Sequence, residues 1–206
     1  MFITIQIMNS LINKKFILAS SSKSRRKILK QSGLSFQSIK PNCSEEDLKK
    51  TLLNKKIKPK DFAMELSFNK SLSISKIHKT KYVVGCDTLI SFNDKIVDKA
   101  KTIKHAEKKL LMMSGKKHKI ISAVTICKNG KKLWQDSDTS EIKIRNINIK
   151  EIRAYLKMCG KQILNSVGCY QIEALGPLII EETKGDFFNI MGLPLFKLLK
   201  HLSKLK

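Results

Sequence analysis

The stretch from Phe16 to Lys30, FILASSSKSRRKILK, contains residue types suited to holding phosphate. Phe16 to Ala19 reads as a short buried strand and Ser20 to Ser22 as a hydroxyl-rich turn. Ile28 and Leu29 form the apolar pair of a basic helix that stops near Gly33. A strand feeding a helix start offers an anion free backbone N–H groups and the positive end of the helix dipole. The serines, with Arg25 or Arg26, can add hydrogen bonds. There is no Gly-rich turn and no Gly-Lys-Ser/Thr, so this is not a Walker P-loop. The same residues also suit a serine N-cap followed by solvated arginines, and residue types alone leave both readings open.

Two carboxylate positions stand out. Asp87 follows the apolar run Tyr82 to Gly85, which predicts a carboxylate at the carboxyl end of a strand, where open α/β sheets place ligands. Such a group must be solvated, paired or bound to metal; a plain turn or cap aspartate is the alternative. Ser44-Glu45-Glu46-Asp47 is an acidic patch in an otherwise basic chain, and it reads as irregular. The histidines His78, His105, His118 and His201 lack metal-ligand spacing, and Ser20 has no His–Asp partner motif for nucleophilic catalysis. The cysteines Cys43, Cys86, Cys127, Cys159 and Cys169 are odd in number and without Cys-x-x-Cys spacing. That argues against a zinc site and a disulfide framework, and for a reducing cytoplasm with the thiols as small buried hydrophobes.

The elements that must position these residues alternate along the chain. Leu34 to Ile39 predicts a second strand ended by Pro41. Pro59 to His78 predicts a helix with Phe62, Leu66, Asn69 and Ser73 on one face. Leu89 to Val97 predicts a hairpin around Asn93-Asp94, and Lys119 to Ile144 a second one around Asn129-Gly130. Helices are expected over Ile103 to Met113, Glu151 to Met158 and Pro194 to Leu202, and a strand over Leu178 to Glu181. Trp134 is expected to pack within its strand. This is an α/β chain with a mixed sheet. Residues 1–15 read as an N-terminal extension, disordered or preceding a start at Met8, and residues 16–206 as a single domain. Met1 to Met8 is too short to span a bilayer.

Among 206 residues, Lys and Arg number 41 against 17 Asp and Glu, a formal charge of +24. A basic chain suits nucleic acid, a membrane surface or a polyanionic substrate. The lysines are spread evenly without a basic tail, which reads as solvated surface with few functional members.

Three ordered blocks carry a resemblance. Leu18-Ala-Ser-Ser-Ser-Lys-Ser-Arg-Arg26 resembles the Leu-Ala-Ser-x-Ser-Pro-x-Arg opening of the Maf family of nucleoside triphosphate pyrophosphatases. Val83 to Ile90 resembles its Ile-Gly-Ala-Asp-Thr block, and Gly185 to Pro194 its Gly-Asp-Tyr-x-x-Val-x-Gly-Leu-Pro block. Ser166 to Glu173 matches the Ala-Gly-x-Tyr-x-Ile segment more loosely. The resemblance implies an elongated mixed β-sheet with flanking helices and two lobes around a central cleft, as in ITPase-like folds. It implies that Asp87 is the general base, that Glu45 and Asp87 are metal ligands, and that Ser20, Arg25, Lys70 and Lys99 bind the triphosphate. Ser44 stands where the family has Asp, and the flanks of Lys70 and Lys99 depart from the family pattern.

Ser24, Thr88 and Glu173 fall at the family's specificity positions. Thr88 looks like the branch acting on dTTP and UTP, Glu173 like the branch acting on 7-methyl-GTP, and Ser24 matches neither. The implied cofactor is a divalent metal cation, Mg2+ with Mn2+ as the alternative. The implied partner is a nucleoside triphosphate, with no membrane and no specific nucleic acid, and with a homodimer left open. The rival readings are a basic nucleic-acid-binding protein without turnover and a non-catalytic cell-division regulator on the same fold.

Overall fold

A computed structural model describes residues 11–55 and 57–205. Most of the expected N-terminal extension, including both candidate start residues, lies outside them. Its described end is packed: Leu11 lies against the core, and the Lys14 ammonium sits over the Tyr82 ring and donates to the Leu205 carbonyl.

One mixed sheet runs through the molecule in the order β2-β1-β3-β5-β6-β7. Its members are β1 (Lys15–Ala19), β2 (Ser35–Ile39), β3 (Tyr82–Phe92), β4 (Lys95–Val97), β5 (Lys117–Lys128), β6 (Lys131–Ile144) and β7 (Ile180–Lys184), with β4 beside β3. β1 pairs in parallel with β2 and β3, and the rest is antiparallel. The helices are α1 (Lys23–Gln31), α2 (Glu45–Asn54), α3 (Pro59–Ser75), α4 (Ile103–Met113), α5 (Ile149–Cys159), α6 (Phe187–Ile190) and α7 (Leu195–Leu202). Both expected hairpin turns form, with Asn93, Asp94, Asn129 and Gly130 all at positive φ, the backbone that two-residue turns between twisted strands demand. No helix of the described residues is long and apolar enough to cross a membrane.

The two largest of the four hydrophobic clusters among the described residues share the central strands. One gathers Phe16, Leu18, Ile28 and Leu29 with Val84 and Cys86 of β3 and the apolar face of α7. The other gathers Ile90 and Phe92 of β3 with α4, α5 and Tyr170. Both draw on β3 and β5, and Asp87 and Thr88 fall in the interval between them. This is the expected arrangement of two lobes around a cleft.

Three expectations need correction. Tyr82 to Phe92 is one unbroken strand, so Asp87 lies in its middle and not at its end. The β1 pairing stops at Ala19 opposite Gly85, however, so Asp87 lies just beyond the end of the parallel part. Glu45 to Asn54 is helical, not irregular; its apolar signal is weak because only Leu52 is fully buried. The inward face of α3 carries Ala63, Ser67, Lys70, Ser71 and Ile74 beside Phe62 and Leu66, while Asn69 and Ser73 lie toward its rim.

That face is polar because α3 lies directly on the sheet. Ser71 Oγ donates to the Val83 carbonyl at 2.6 Å, and Ser67 Oγ meets Thr125 Oγ1 at 2.7 Å. A Cβ at Gly85 would fall 2.3 Å from the Ser67 carbonyl oxygen and 2.6 Å from the Ser71 nitrogen. Main-chain atoms cannot turn aside as a flexible side chain can. Gly85→Ala is therefore expected to destabilise the fold by about 3 kcal/mol, the upper part of the overpacking range. Urea unfolding measures this directly, and an unchanged midpoint would mean that α3 is free to lift from β3.

Candidate active site

The site occupies a gap in a sheet edge. β5 covers one edge of β3 from Val83 to Ser91. On the other edge β1 covers Tyr82–Gly85 and β4 covers Ile90–Phe92. Cys86 to Leu89 therefore have no strand partner on that side. A cleft of about 610 Å³ opens there, lined by the Ser20–Arg25 turn, Glu45, Lys70, Lys99 and the loop from Ser166 to Glu173.

Successive residues of a strand point to opposite faces. Asp87 points toward α3 and Thr88 toward the α1 side. On the first side Lys70 Nζ stands 2.6 Å from Asp87 Oδ1 and 3.0 Å from Glu45 Oε2. One ammonium thus joins the two carboxylates, brought from α2 and β3 by α3. Burial works against the Lys70 charge and Arg25 repels it, yet Asp87 and Glu45 prevail and hold its pKa above the ordinary lysine value. Partial burial also opposes ionisation of Glu45, but Lys70 and then Lys49, at 3.1 Å, hold its pKa down at about 2. Its unfolded value is higher, so this pairing favours the fold at neutral pH and is lost as pH falls toward 2.

On the second side the Arg25 guanidinium, 8 % exposed, is a hub. Nε donates to the Gly192 carbonyl at 2.8 Å, Nη1 to the Cys86 carbonyl at 2.9 Å and Ser20 Oγ at 3.2 Å, and Nη2 to Thr88 Oγ1 at 2.9 Å. The Cys86 carbonyl is free to accept because the sheet edge is open at that point. Gly192 sits at φ 105, and a Cβ there would press on Thr88 Oγ1 at 3.2 Å. The Thr88 hydroxyl also meets Ser122 Oγ at 3.0 Å, and Ser122 donates to the Asn189 carbonyl at 2.9 Å.

The serine turn fits both readings left open by its sequence. Ser22 is the N-cap of α1, accepting from the Arg25 amide at 3.4 Å. Ser20 is buried, and its hydroxyl accepts from the Ser22 amide at 3.2 Å. The start of α1 therefore faces the cleft with its first turn already formed.

Ser24 Oγ donates to Glu173 Oε1 at 3.1 Å, so two of the residues at the family's specificity positions touch across the cleft, 149 residues apart in the chain. Thr88 stands apart from them, engaged by Arg25. Lys99 is exposed on the cleft rim. Its pKa is lowered, first by desolvation against the cleft walls and then by repulsion from Arg25 and Lys70. The nine site residues implied by the resemblance, Ser20, Ser24, Arg25, Glu45, Lys70, Asp87, Thr88, Lys99 and Glu173, all line this one cleft.

Sequence reasoning missed the Gly192 carbonyl, Ser122, Cys43 and Lys49. Of these only Lys49 had a legible signal, its i,i+4 spacing from Glu45, which becomes visible once that segment is read as a helix. Four cysteines are buried and Cys43 half-buried, all unpaired. Trp134 is partly buried and stacks on His201 with ring centroids 4.5 Å apart. Among the described residues no three His, Cys, Asp or Glu side chains converge as a ready metal centre.

Comparison with known proteins matches residues 15–205 to the family model for Maf-like proteins. A Caulobacter vibrioides protein named nucleoside triphosphate pyrophosphatase is 32% identical over 90% of this chain and 92% of its own length. Bartonella henselae and Brucella suis proteins, both named 7-methyl-GTP pyrophosphatase, are 35% and 34% identical over 92% and 93% of this chain, and over 94% and 96% of their own. Among solved structures, the Staphylococcus aureus Ham1 protein aligns with 64% of this chain and 72% of its own at 14% identity and a TM-score of 0.40.

Proposed function

This chain belongs to the Maf-like protein family, and on that premise we propose that it is a nucleoside triphosphate pyrophosphatase acting in nucleotide-pool housekeeping. It hydrolyses the anhydride between the α and β phosphates and releases a nucleoside monophosphate and pyrophosphate. The observation that carries this reading is the Asp87–Lys70–Glu45 triad of charges at the open edge of β3, in the same cleft as the serine turn and the start of α1.

Each residue has a role that follows from its place. Asp87 accepts the proton of the attacking water. Lys70, held charged beside it, moves positive charge toward the phosphates as they arrive. Ser20, the first turn of α1 and the rim ammonium of Lys99 hold the triphosphate, and Arg25 fixes the positions of Ser20 and Thr88 around it. Positioning and charge neutralisation supply the rate, with no covalent enzyme intermediate. Ser24, Thr88 and Glu173 set the choice of base.

Two carboxylates gathered on one cation form a hard-oxygen donor set that would suit Mg2+ or Mn2+. Glu45 and Asp87 would hold that ion, which would neutralise phosphate charge and lower the pKa of a water bound to it.

The test is a panel of nucleoside triphosphates, including dTTP, UTP and 7-methyl-GTP, with product chromatography. Monophosphate and intact pyrophosphate are expected in equal amounts. A diphosphate with orthophosphate would point to cleavage at the γ-phosphate, and no turnover across the panel would leave the non-catalytic reading in possession.

A further inference from the structure

Among the described residues, Lys109 is the one buried lysine that the cleft chemistry above does not use, and its burial needs a reason. It lies on the inward face of α4 beside Ala106, Leu110 and Met113, 4 % exposed. An ammonium placed there costs stability unless it is well hydrogen-bonded. Its Nζ donates to two main-chain carbonyls: that of Asp98, at a short distance, and that of Val167, at 3.0 Å. The two carbonyls belong to two separate segments that both line the cleft. Asp98 immediately precedes Lys99 on the rim, and Val167 begins the turn that leads through Tyr170 to Glu173.

The residue before Lys99 is thus tied to Val167 through the Lys109 ammonium.

We propose that Lys109 is a positioning residue that straps the Lys99 segment to the loop Ser166–Glu173, so that the lysine meeting the triphosphate and the wall meeting the base are set by a single clamp. This rests on the pyrophosphatase reading. The strap never touches substrate; it acts through Lys99. Asp87, Lys70 and Glu45 sit on β3, α3 and α2, outside the strapped segments, so the chemical step is spared when the strap is cut.

The experiment is a double-mutant cycle of Lys109→Met with Lys99→Ala. Lys109→Met is expected to raise KM for the best triphosphate roughly tenfold, the effect of a modest misplacement of a binding group, with kcat within about threefold of wild type. In the Lys99→Ala background it is expected to raise KM by no more than about twofold, since a misplaced lysine and an absent one cost the same. The dissociation constant of the α,β-methylene analogue of that nucleotide is expected to follow KM, a readout that needs no turnover. Unchanged KM and analogue binding in folded Lys109→Met would overturn the proposal, and so would effects of the two substitutions that multiply in the double variant. If Lys109→Met does not fold, Lys109→Gln is read in the same cycle. Turnover by the wild type tests the pyrophosphatase reading by itself, because the strap is judged on ratios between variants and on analogue binding.

Discussion

Asp87→Asn is expected to lower kcat by ~10²–10⁴, the range for loss of a general base, while the protein stays folded. The amide keeps the size of the carboxyl group and fits the same place in β3. It cannot accept a proton at neutral pH, and it is a poor ligand for a hard cation. It also removes the nearer of the two anions on Lys70, leaving Glu45 at 3.0 Å as the partner of a mostly buried ammonium. Binding of a triphosphate analogue should therefore persist. Steady-state kinetics beside circular dichroism measures the split. A folded variant retaining more than roughly a tenth of wild-type kcat, short of even the low end of that range, would take the proton-accepting role away from Asp87.

Arg25→Ala is expected to cost both stability and activity, and Arg26→Ala neither. The Arg25 fork ties four places together: the 192 turn, the Cys86 carbonyl, Ser20 and Thr88. Truncation leaves the Cys86 carbonyl without its donor and takes one partner each from Gly192, Ser20 and Thr88, an unsatisfied acceptor being worth ~1–3 kcal/mol while it stays dry. Cleft water reaches some of them, so a net loss of about 3 kcal/mol is expected, with kcat/KM down by at least ~10² because the serine turn and Thr88 lose their common anchor. Arg26 points about 100° away around α1 and should change stability by less than ~0.5 kcal/mol. Arg25→Lys should not rescue, since one ammonium cannot replace a fork that makes four hydrogen bonds. Urea midpoints and kcat/KM for the three variants decide the matter. Equal effects of Arg25→Ala and Arg26→Ala would mean that the cluster works as a diffuse positive field.

Much of this was legible in the sequence, for local reasons. The strand–serine–helix entry, the two hairpins and the final amphipathic helix each carry their own pattern: an apolar run, a paired turn, a 3.6-residue period. The cleft residues were legible through ordered blocks, not through chemistry, since no spacing rule singles out Lys70 or Lys99 from the many other lysines. The failures share a cause in tertiary context. The Asp87–Thr88 pair breaks the apolar pattern of β3 and mimics a strand end, although β5 continues the pairing past it. α2 buries so little apolar surface that its acidic first turn reads as loop. The inward serines of α3 look like a solvent face, because nothing in the local sequence reveals that a glycine on the neighbouring strand lets the helix descend onto the sheet. The contact between Ser24 and Glu173 has no local trace at all.

The strands shared by the two cores have a mechanical consequence. β3, β5 and β6 each run past the cleft, with β5 and β6 paired along their length apart from a register shift at Ile126–Cys127. Such a plate has no hinge, since bending it would shear ladder hydrogen bonds in several strands at once. The lobes cannot close on a nucleotide as two jaws do. The jaw opening is fixed when the chain folds, and the cleft works as a gauge of constant bore that admits or refuses a base by its outline. The elements that stand outside this ladder are those on the open edge of β3, α2 and the Lys99 segment.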